Sequence, residues 1–422
     1  MVRLVLVAIF RAIIRLYFRA IERIGEPPGP EVRGRLIAAN HENALIDPIV
    51  VLTAAGCPVA PIAKATLWKV PVLRWLLDAA GAVPIVRRRD EPGKDARAND
   101  DTFAAIARHL AGGGNVLIFP EGTSHSGPRL VPLRSGAARM LAGAAALGAH
   151  PTFQAVALEF DGAQTFRSRC LLVWGPVRRL DDLDGVGDDR VARTTAVLAE
   201  DLGALRIEAD SHDDRRRIAQ VAEVLAHDDG DDSLAAWSAI GRQVETAATT
   251  LRALAPADHA ATAAALDRYH ALCVRHGVRD AQLARGRTPP VRSPVRWLRR
   301  LALAPLVIAG VVLYALPYRI PRRIARDREP DVVSTMKLTA GLVVFPLWAI
   351  ALTIAAWIVV PGAALAALAT AVVWLSPLAA LRWLDWRDRR DRPLSDAQLA
   401  ELMAARRAAQ DAIAHARAAL GA

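Results

Sequence analysis

The chain has 422 residues, enough for one enzyme-sized domain and something more, because single cores stop growing near roughly 250–300 residues. An apolar fraction of 53% beside 23% charged residues, with mean hydropathy +0.21, excludes an evenly mixed soluble chain, and the apolar excess gathers after residue 300. The net charge of +11 calls for an anionic partner; the basic residues sit beside apolar segments and not among aromatics, with no zinc-knuckle or RNP-like motif, so anionic membrane lipids are expected and nucleic acid is not.

Arg11, Arg15, Arg19 and Arg23 are four apart and form one stripe on a helix whose other faces are Leu, Val, Ile, Phe and Tyr. The pattern predicts an interfacial amphipathic helix. It is a poor signal peptide, since the uncharged run before Arg11 is short and no small-residue cleavage site follows. The competing reading is a helix packed on the enzyme core with its arginines outward. Gly25, Pro27, Pro28, Gly29 and Pro30 then break the chain and close a first segment at 1–30.

Between 31 and 180 short apolar runs alternate with helical stretches. Arg35–Ala39, Val59–Ala63, Ala82–Val86, Val116–Phe119, Gln154–Phe160 and Cys170–Trp174 read as strands, and Trp68–Ala79, Thr102–Leu110 and Ser135–Leu147 as helices. This predicts an α/β domain, a central sheet flanked by helices. Residues 181–292, rich in Ala, Asp, Arg and Glu with an acidic break at Asp228–Asp232, read as a helical appendage with no recognisable chemistry.

Residues 293–386 are the expected membrane region. Leu338–Val360 and Gly362–Leu384 can each cross a hydrocarbon core of about 30 Å, with Pro361 and Gly362 as a hairpin turn. Leu301–Tyr318 is shorter and contains Pro305 and Pro317. Trp297–Arg300, Arg319–Lys337 and Arg382–Arg392 are all basic and prefer the cytoplasm. A full crossing by Leu301–Tyr318 would put two basic flanks on opposite sides, so that segment is expected to be re-entrant or interfacial. The protein is expected to be integral to the cytoplasmic membrane with its catalytic domain on the cytoplasmic face. Residues 387–422 read as a polar helical tail. Cys57, Cys170 and Cys273 are widely spaced and suggest neither a disulfide framework nor a zinc site, which fits a reduced compartment.

Three strand ends carry chemistry. Asn40-His41 follows the strand Arg35–Ala39, and Asp47-Pro48 fits an N-cap followed by a first-turn proline, so His41 falls on the intervening loop. A loop can fold His41 and Asp47 together, and a carboxylate on one imidazole nitrogen leaves the other able to take a proton. The alternative is a surface histidine and a capping aspartate. Phe119-Pro120-Glu121-Gly122-Thr123-Ser124 follows another strand; Glu121 can position an acceptor hydroxyl, and the backbone of Gly122, Thr123 and Ser124 can donate to a phosphate or oxyanion. Gly81–Arg89 ends a third, where Arg87 can bind a phosphate in bidentate fashion; a solvated basic run is the plainer reading.

Taken together and in this order, these motifs resemble the glycerolipid acyltransferase superfamily over about residues 33–180. Asn40-His41 with Asp47-Pro48 is similar to its first block, Gly81–Arg87 to its second, Phe119–Thr123 to its third, and Phe153–Leu158, without the usual proline, to its fourth. Most members have four residues between His and Asp, whereas here there are five, Glu42 to Ile46. The longer spacing, Phe166-Arg167-Ser168-Arg169 and the trailing membrane region resemble the fungal-type glycerol-3-phosphate/dihydroxyacetone-phosphate acyltransferase branch and its bacterial relatives.

The resemblance implies an α/β acyltransferase domain with an N-terminal amphipathic helix, a helical appendage and C-terminal transmembrane helices. It implies acyl transfer from acyl-CoA or acyl-carrier protein to glycerol 3-phosphate or dihydroxyacetone phosphate. His41 and Asp47 would be catalytic; Arg87, Glu121, Gly122 and Thr123 would bind substrate. Neither a cofactor nor a metal is expected. No Gly-x-Ser-x-Gly elbow is present, so a hydrolase or an acyl-enzyme is disfavoured. The acceptor can equally be 1-acylglycerol-3-phosphate or another lysophospholipid. In another class altogether, the chain can be a non-enzymatic membrane lipid-binding protein.

Overall fold

The computed structural model describes residues 2–69, 71–85, 100–285, 294–389 and 393–421. They divide into two compact units, one of residues 1–267 with 408–422, the other of residues 268–407.

The first unit is built on β1 (Ala20–Ile24), β2 (Arg35–Ala39), β3 (Val59–Lys64), β4 (Val83–Ile85), β5 (Asn115–Ile118), β6 (Thr152–Phe160) and β7 (Arg169–Arg179). These form one mixed sheet in the order β1-β7-β6-β2-β5-β3-β4. Among the described pairings β6–β7 is antiparallel and the others are parallel. β2 and β5 lie inside the sheet and are almost wholly buried, which is why they read as unbroken apolar runs without alternation. Helices α1 (Val2–Tyr17), α2 (Ile46–Ala54), α3 (Pro71–Ala80), α4 (Asp100–Ala111) and α5 (Gly136–Ala146) connect the strands. The main core packs Leu36, Val116 and Phe153 of the sheet against Ile106 and Leu110 of α4 and Met140 and Leu141 of α5. Each fully buried Leu or Phe contributes about 1.5–3 kcal/mol.

The amino-terminal segment departs from its predicted form. The helix stops at Tyr17, and Ala20–Ile24 becomes an edge strand parallel to β7. Arg19 and Arg23 therefore leave the expected stripe, and the sheet begins before residue 31. Without β1 the outer edge of β7 would expose unpaired backbone groups. Buried Phe18, stacked on Phe160, anchors the change of direction. Two arginines of α1 also reach back onto the domain: Arg3 donates to the carbonyl of Val59, and Arg11 to that of Thr53 at 3.1 Å. Leu4, Val5, Ile9 and Leu16 are left exposed along the helix.

After β7 come α6 (Gly187–Ala204), α7 (His212–Asp228), α8 (Leu234–Leu254) and α9 (Pro256–His276). Serine caps start two of them: Ser211 accepts from Asp214 N at 3.0 Å, and Ser233 from Ala236 N at 3.1 Å. The segment 205–210 between α6 and α7 runs back against the sheet domain, where Ile207 N–H donates to Glu159 at 2.8 Å.

The second unit contains α10 (Asp280–Ala284), α11 (Pro294–Ile324), α12 (Pro330–Val359), α13 (Ala363–Arg389) and the first half of α14 (Asp396–Ala419). Among the described residues Leu301–Ile324, Pro330–Val359 and Ala363–Trp386 are long and apolar enough to cross a membrane. α11 is one continuous helix through Pro305, Pro317 and Pro321, extending beyond the Leu301–Tyr318 segment expected from sequence. The three helices pack together: Tyr314 donates to the carbonyl of Val373, and the Trp348 indole to that of Leu313, each at 2.9 Å. Gly362, at φ +86°, makes the tight turn between α12 and α13. On either side of this apolar block in sequence, Asp280 and Arg406 form a buried two-point pair, with Nε to Oδ1 at 2.8 Å and Nη2 to Oδ2 at 3.2 Å.

Candidate active site

β2 and β5 are parallel neighbours with Ala38 opposite Ile118, so the chain leaves both at the same end of the sheet. That topology brings the first and third motifs together. The His41 ring stacks on Phe119 with centroids 4.1 Å apart and 20° between planes. Asn40 fastens the same loop to β6 on the other side, donating to Leu158 O at 3.1 Å and accepting from Leu158 N at 2.7 Å.

His41 Nδ1 lies 2.9 Å from Asp47 Oδ2, and the amide of Asn43 donates to that same oxygen at 2.7 Å. The five intervening residues double back, with Ala44 in the left-handed region at φ +40°. α2 begins at Ile46, so Asp47 sits inside the first turn, and the N-cap is Leu45. Burial pushes the Asp47 carboxyl above its ordinary value, while the His41 and Asn43 hydrogen bonds pull it back. With Nδ1–H directed at a carboxylate, the Nε2 lone pair is available. Among the described residues nothing bonds Nε2, and the His41 side chain is 12% exposed.

Glu121 points into the protein. Its Oε1 accepts the His41 amide at 2.8 Å; its Oε2 accepts the Val131 amide at 3.3 Å and pairs with His125 Nε2. This carboxylate thus ties the first motif to the third. His125 Nδ1 accepts from Gly127 N at 3.0 Å, which leaves the ring proton on Nε2, facing Glu121. The Glu121 hydrogen bond raises the His125 pKa, and desolvation opposes it. Sequence reading passed over His125, because a four-residue spacing in a loop carries no geometric meaning.

Gly122 sits at φ +75°, and a Cβ there would collide with the side chain of Arg134, which lies across the turn. Arg134 is exposed and was also missed, being eleven residues beyond the third motif's last residue, Thr123. The Gly122 amide is turned to Phe119 O and the His125 amide to His41 O, both at 3.0 Å. Thr123 donates its hydroxyl to Ser124 O at 3.3 Å. Arg87 lies outside the described residues. β4, which leads to it, is three strand positions from β2, roughly 14 Å at the usual spacing. Among the described residues no group of three or more His, Cys, Asp or Glu side chains is arranged to hold a metal. Cys170 is buried, and desolvation pushes its thiol well above the usual range, away from nucleophilic use.

Residues 21–157 match the family model described as Acyltransferase. They form an acyltransferase-family domain, and the relatives matched are glycerolipid acyltransferases. The acyltransferase domain holds His41, Asp47, Glu121, Gly122, Thr123 and Arg134, while the segment 205–210 lies beyond the matched region. The chain is 41% identical over 81 residues to glycerol-3-phosphate O-acyltransferase 2 of Saccharomyces cerevisiae, a stretch that is 18% of this chain and 11% of that protein. Over 99 residues it is 30% identical to a chloroplastic 1-acyl-sn-glycerol-3-phosphate acyltransferase of Brassica napus, covering 24% of this chain and 26% of that one. The chain thus spans only about a tenth and a quarter of the lengths of these two relatives. The solved structure of the 1-acyl-sn-glycerophosphate acyltransferase of Thermotoga maritima aligns with TM-score 0.34 and 19% identity, over 46% of this chain and 75% of that one.

Proposed function

We propose that this protein is a membrane-bound O-acyltransferase that moves a fatty acyl group from acyl-CoA or acyl-carrier protein to glycerol 3-phosphate or dihydroxyacetone phosphate, in phospholipid biosynthesis. The carrying observation is the His41–Asp47 dyad at 2.9 Å with Nε2 left free. Nε2 takes the proton of the acceptor hydroxyl as its oxygen attacks the thioester carbonyl. The tetrahedral intermediate then expels the thiolate, which recovers that proton from His41. Asp47 holds the tautomer and stabilises the imidazolium. The backbone at Thr123 and the guanidiniums of Arg134 and Arg87 are the groups offered to the acceptor phosphate, and Glu121 acts by fixing the His41 backbone. The matched relatives carry names with two different acceptors, so 1-acylglycerol-3-phosphate is the second reading for the same chemistry. A lipid-binding protein without activity would not need a buried carboxylate on an accessible imidazole.

The membrane placement follows from similar reasoning. Asp280 and Arg406 are in direct contact, so the polar segments before and after the apolar block share one aqueous side. That requires an even number of crossings. On that count α12 and α13 cross as a hairpin, and α11, although long and apolar enough to cross, is the segment assigned a re-entrant or interfacial place, with Arg322 and Arg323 in its last turn. The basic flanks favour the cytoplasm for the shared side. The exposed row Leu4, Val5, Ile9 and Leu16 on α1, beside exposed Arg11 and Arg15, suits an anionic lipid surface.

The test is purified full-length protein in nanodiscs with acyl-CoA or acyl-carrier protein, offered each of the three acceptors separately, with thiol release and lipid products read together. Preference for glycerol 3-phosphate or dihydroxyacetone phosphate supports the proposal. Preference for 1-acylglycerol-3-phosphate selects the second reading. No transfer from either donor to any acceptor overturns both.

A further inference from the structure

Arg206 lies in the segment 205–210, outside the matched acyltransferase region and in the part of the chain where the sequence offered no chemistry. Its guanidinium is nonetheless completely buried, and Nη2 donates to Glu42 Oε1 at 2.7 Å. Glu42 is the residue after His41. Arg215 Nη2 adds a second, longer contact to the same oxygen at 3.3 Å. The segment also grips the other side of the site. Leu130 N–H donates to Glu208 Oε1 at 2.9 Å, and Ala209 N–H to Pro128 O at 3.2 Å, so the loop carrying His125 is held from 206–210 as well. Arg206 Nε and Nη1 make no hydrogen bond. Nε has only a long ion-pair contact, 3.9 Å to Glu208 Oε1, so desolvation of the guanidinium costs more than its pairing with Glu42 and Glu208 returns, and stability is a poor reason to bury it. The arrangement makes sense where a charge is required at that place.

We propose that Arg206 is a positioning residue of the acyl transfer: by neutralising and holding Glu42 it fixes the His41 loop, so that the appendage beyond residue 180 completes the active site. This rests on the acyltransferase reading given above. Removing the cation leaves Glu42, a buried carboxylate next to the base, with only the longer Arg215 contact at 3.3 Å, and the loop moves to hydrate it. Displacements of about 1 Å at a base cost on the order of 100-fold in rate. Arg206 contacts no substrate, so the loss falls on kcat and not on KM.

The experiment compares wild type, Arg206→Met, Arg206→Lys and the double variant Arg206→Met/Glu42→Gln, each full-length in nanodiscs and checked by thermal unfolding. Arg206→Met is expected to lose about 100-fold in kcat with KM for both substrates nearly unchanged. The lysine variant restores part of the rate. The double variant, which has no stranded charge, is more active than Arg206→Met alone. A folded Arg206→Met with kcat within about twofold of wild type overturns the proposal. If Arg206→Met does not fold, the double variant decides: about 10-fold lower kcat at constant KM supports the role, and wild-type kcat overturns it.

A second readout does not need turnover. His125 pairs with Glu121, which raises its titration point; desolvation lowers it, and among the more distant charges Arg206 lowers it and Glu42 raises it. In ¹³C-labelled histidine spectra, assigned with His125→Gln, removal of Arg206 is expected to move the His125 titration upward. If wild type transfers no acyl group, the acyltransferase reading fails by itself. An unmoved His125 titration then removes the link between Arg206 and the site, and a moved one preserves it.

Discussion

The backbone N–H of His41 donates to Oε1 of Glu121 at 2.8 Å, across 80 residues of sequence. One carboxylate therefore holds the proposed base by its main chain, while Asp47 holds it by its ring at 2.9 Å. Ring and backbone are fixed by different elements, α2 and the loop after β5. Neither contact depends on substrate, so the imidazole is set before anything binds.

His41→Ala removes the base and leaves its supports in place. The side chain is partly exposed and stacks on a single ring, so folding should survive. We expect kcat to fall by about 10²–10⁴-fold or more, with an unfolding midpoint close to wild type. Substantial turnover in the folded variant would remove His41 from the mechanism.

Asp47→Asn should separate activity from stability. The folded pKa of Asp47 is raised by burial, so its contribution to stability is full below the unfolded value and is lost as pH rises through the folded one. Once ionised, the buried carboxylate is a net cost, which the amide removes. We expect the unfolding midpoint at pH 7 to hold or rise while kcat drops on the order of 10³-fold or more. A variant that is both less stable and fully active would contradict this account.

The Glu121–His125 pair gives a pH signature. His125 is raised by Glu121, so the stability it contributes is fully present below about pH 6.5 and is lost as pH climbs through the raised folded value. Thermal unfolding followed from pH 6 to 9 should show a declining midpoint in wild type. His125→Gln should flatten that decline; an identical slope in both would show that the pair is not titrating.

Gly122→Ala tests the turn that carries the third motif. Alanine at φ +75° costs about 1–3 kcal/mol of backbone strain, and its methyl must also displace Arg134. We expect a lower unfolding midpoint together with a higher KM for the phosphate-bearing acceptor. A change in stability with KM untouched would detach Arg134 from the acceptor.

Topology can be read with single cysteines placed in a background lacking Cys57, Cys170 and Cys273. A cysteine at Gly362 in the α12–α13 turn should be labelled from outside intact cells by an impermeant maleimide. One at Asp327, between α11 and α12, should be labelled only after permeabilisation. External labelling at Asp327 would make α11 a full crossing, in conflict with the Asp280–Arg406 contact.

Local chemistry made much of this protein legible from sequence. Buried parallel strands such as Arg35–Ala39 announce themselves as apolar runs, because both faces are covered. The three strand-end motifs stand out because their residues are rarely placed together for packing alone, and the apolar block after residue 300 is a matter of composition. Other features had no local signature. Ala20–Ile24 carries a helical arginine spacing and becomes a strand because the outer edge of β7 needs a partner. The sequence by itself determined the α/β domain, the membrane segments and the candidate residues His41, Asp47 and Glu121. Only the tertiary structure decided what those residues do to one another: that Glu121 serves the His41 backbone, that Arg134 crosses Gly122, and that Arg206 reaches Glu42 from 164 residues away. The reason is that a parallel sheet sets neighbours by strand order and not by chain order, and a buried charge takes as its partner whatever the packing brings within reach.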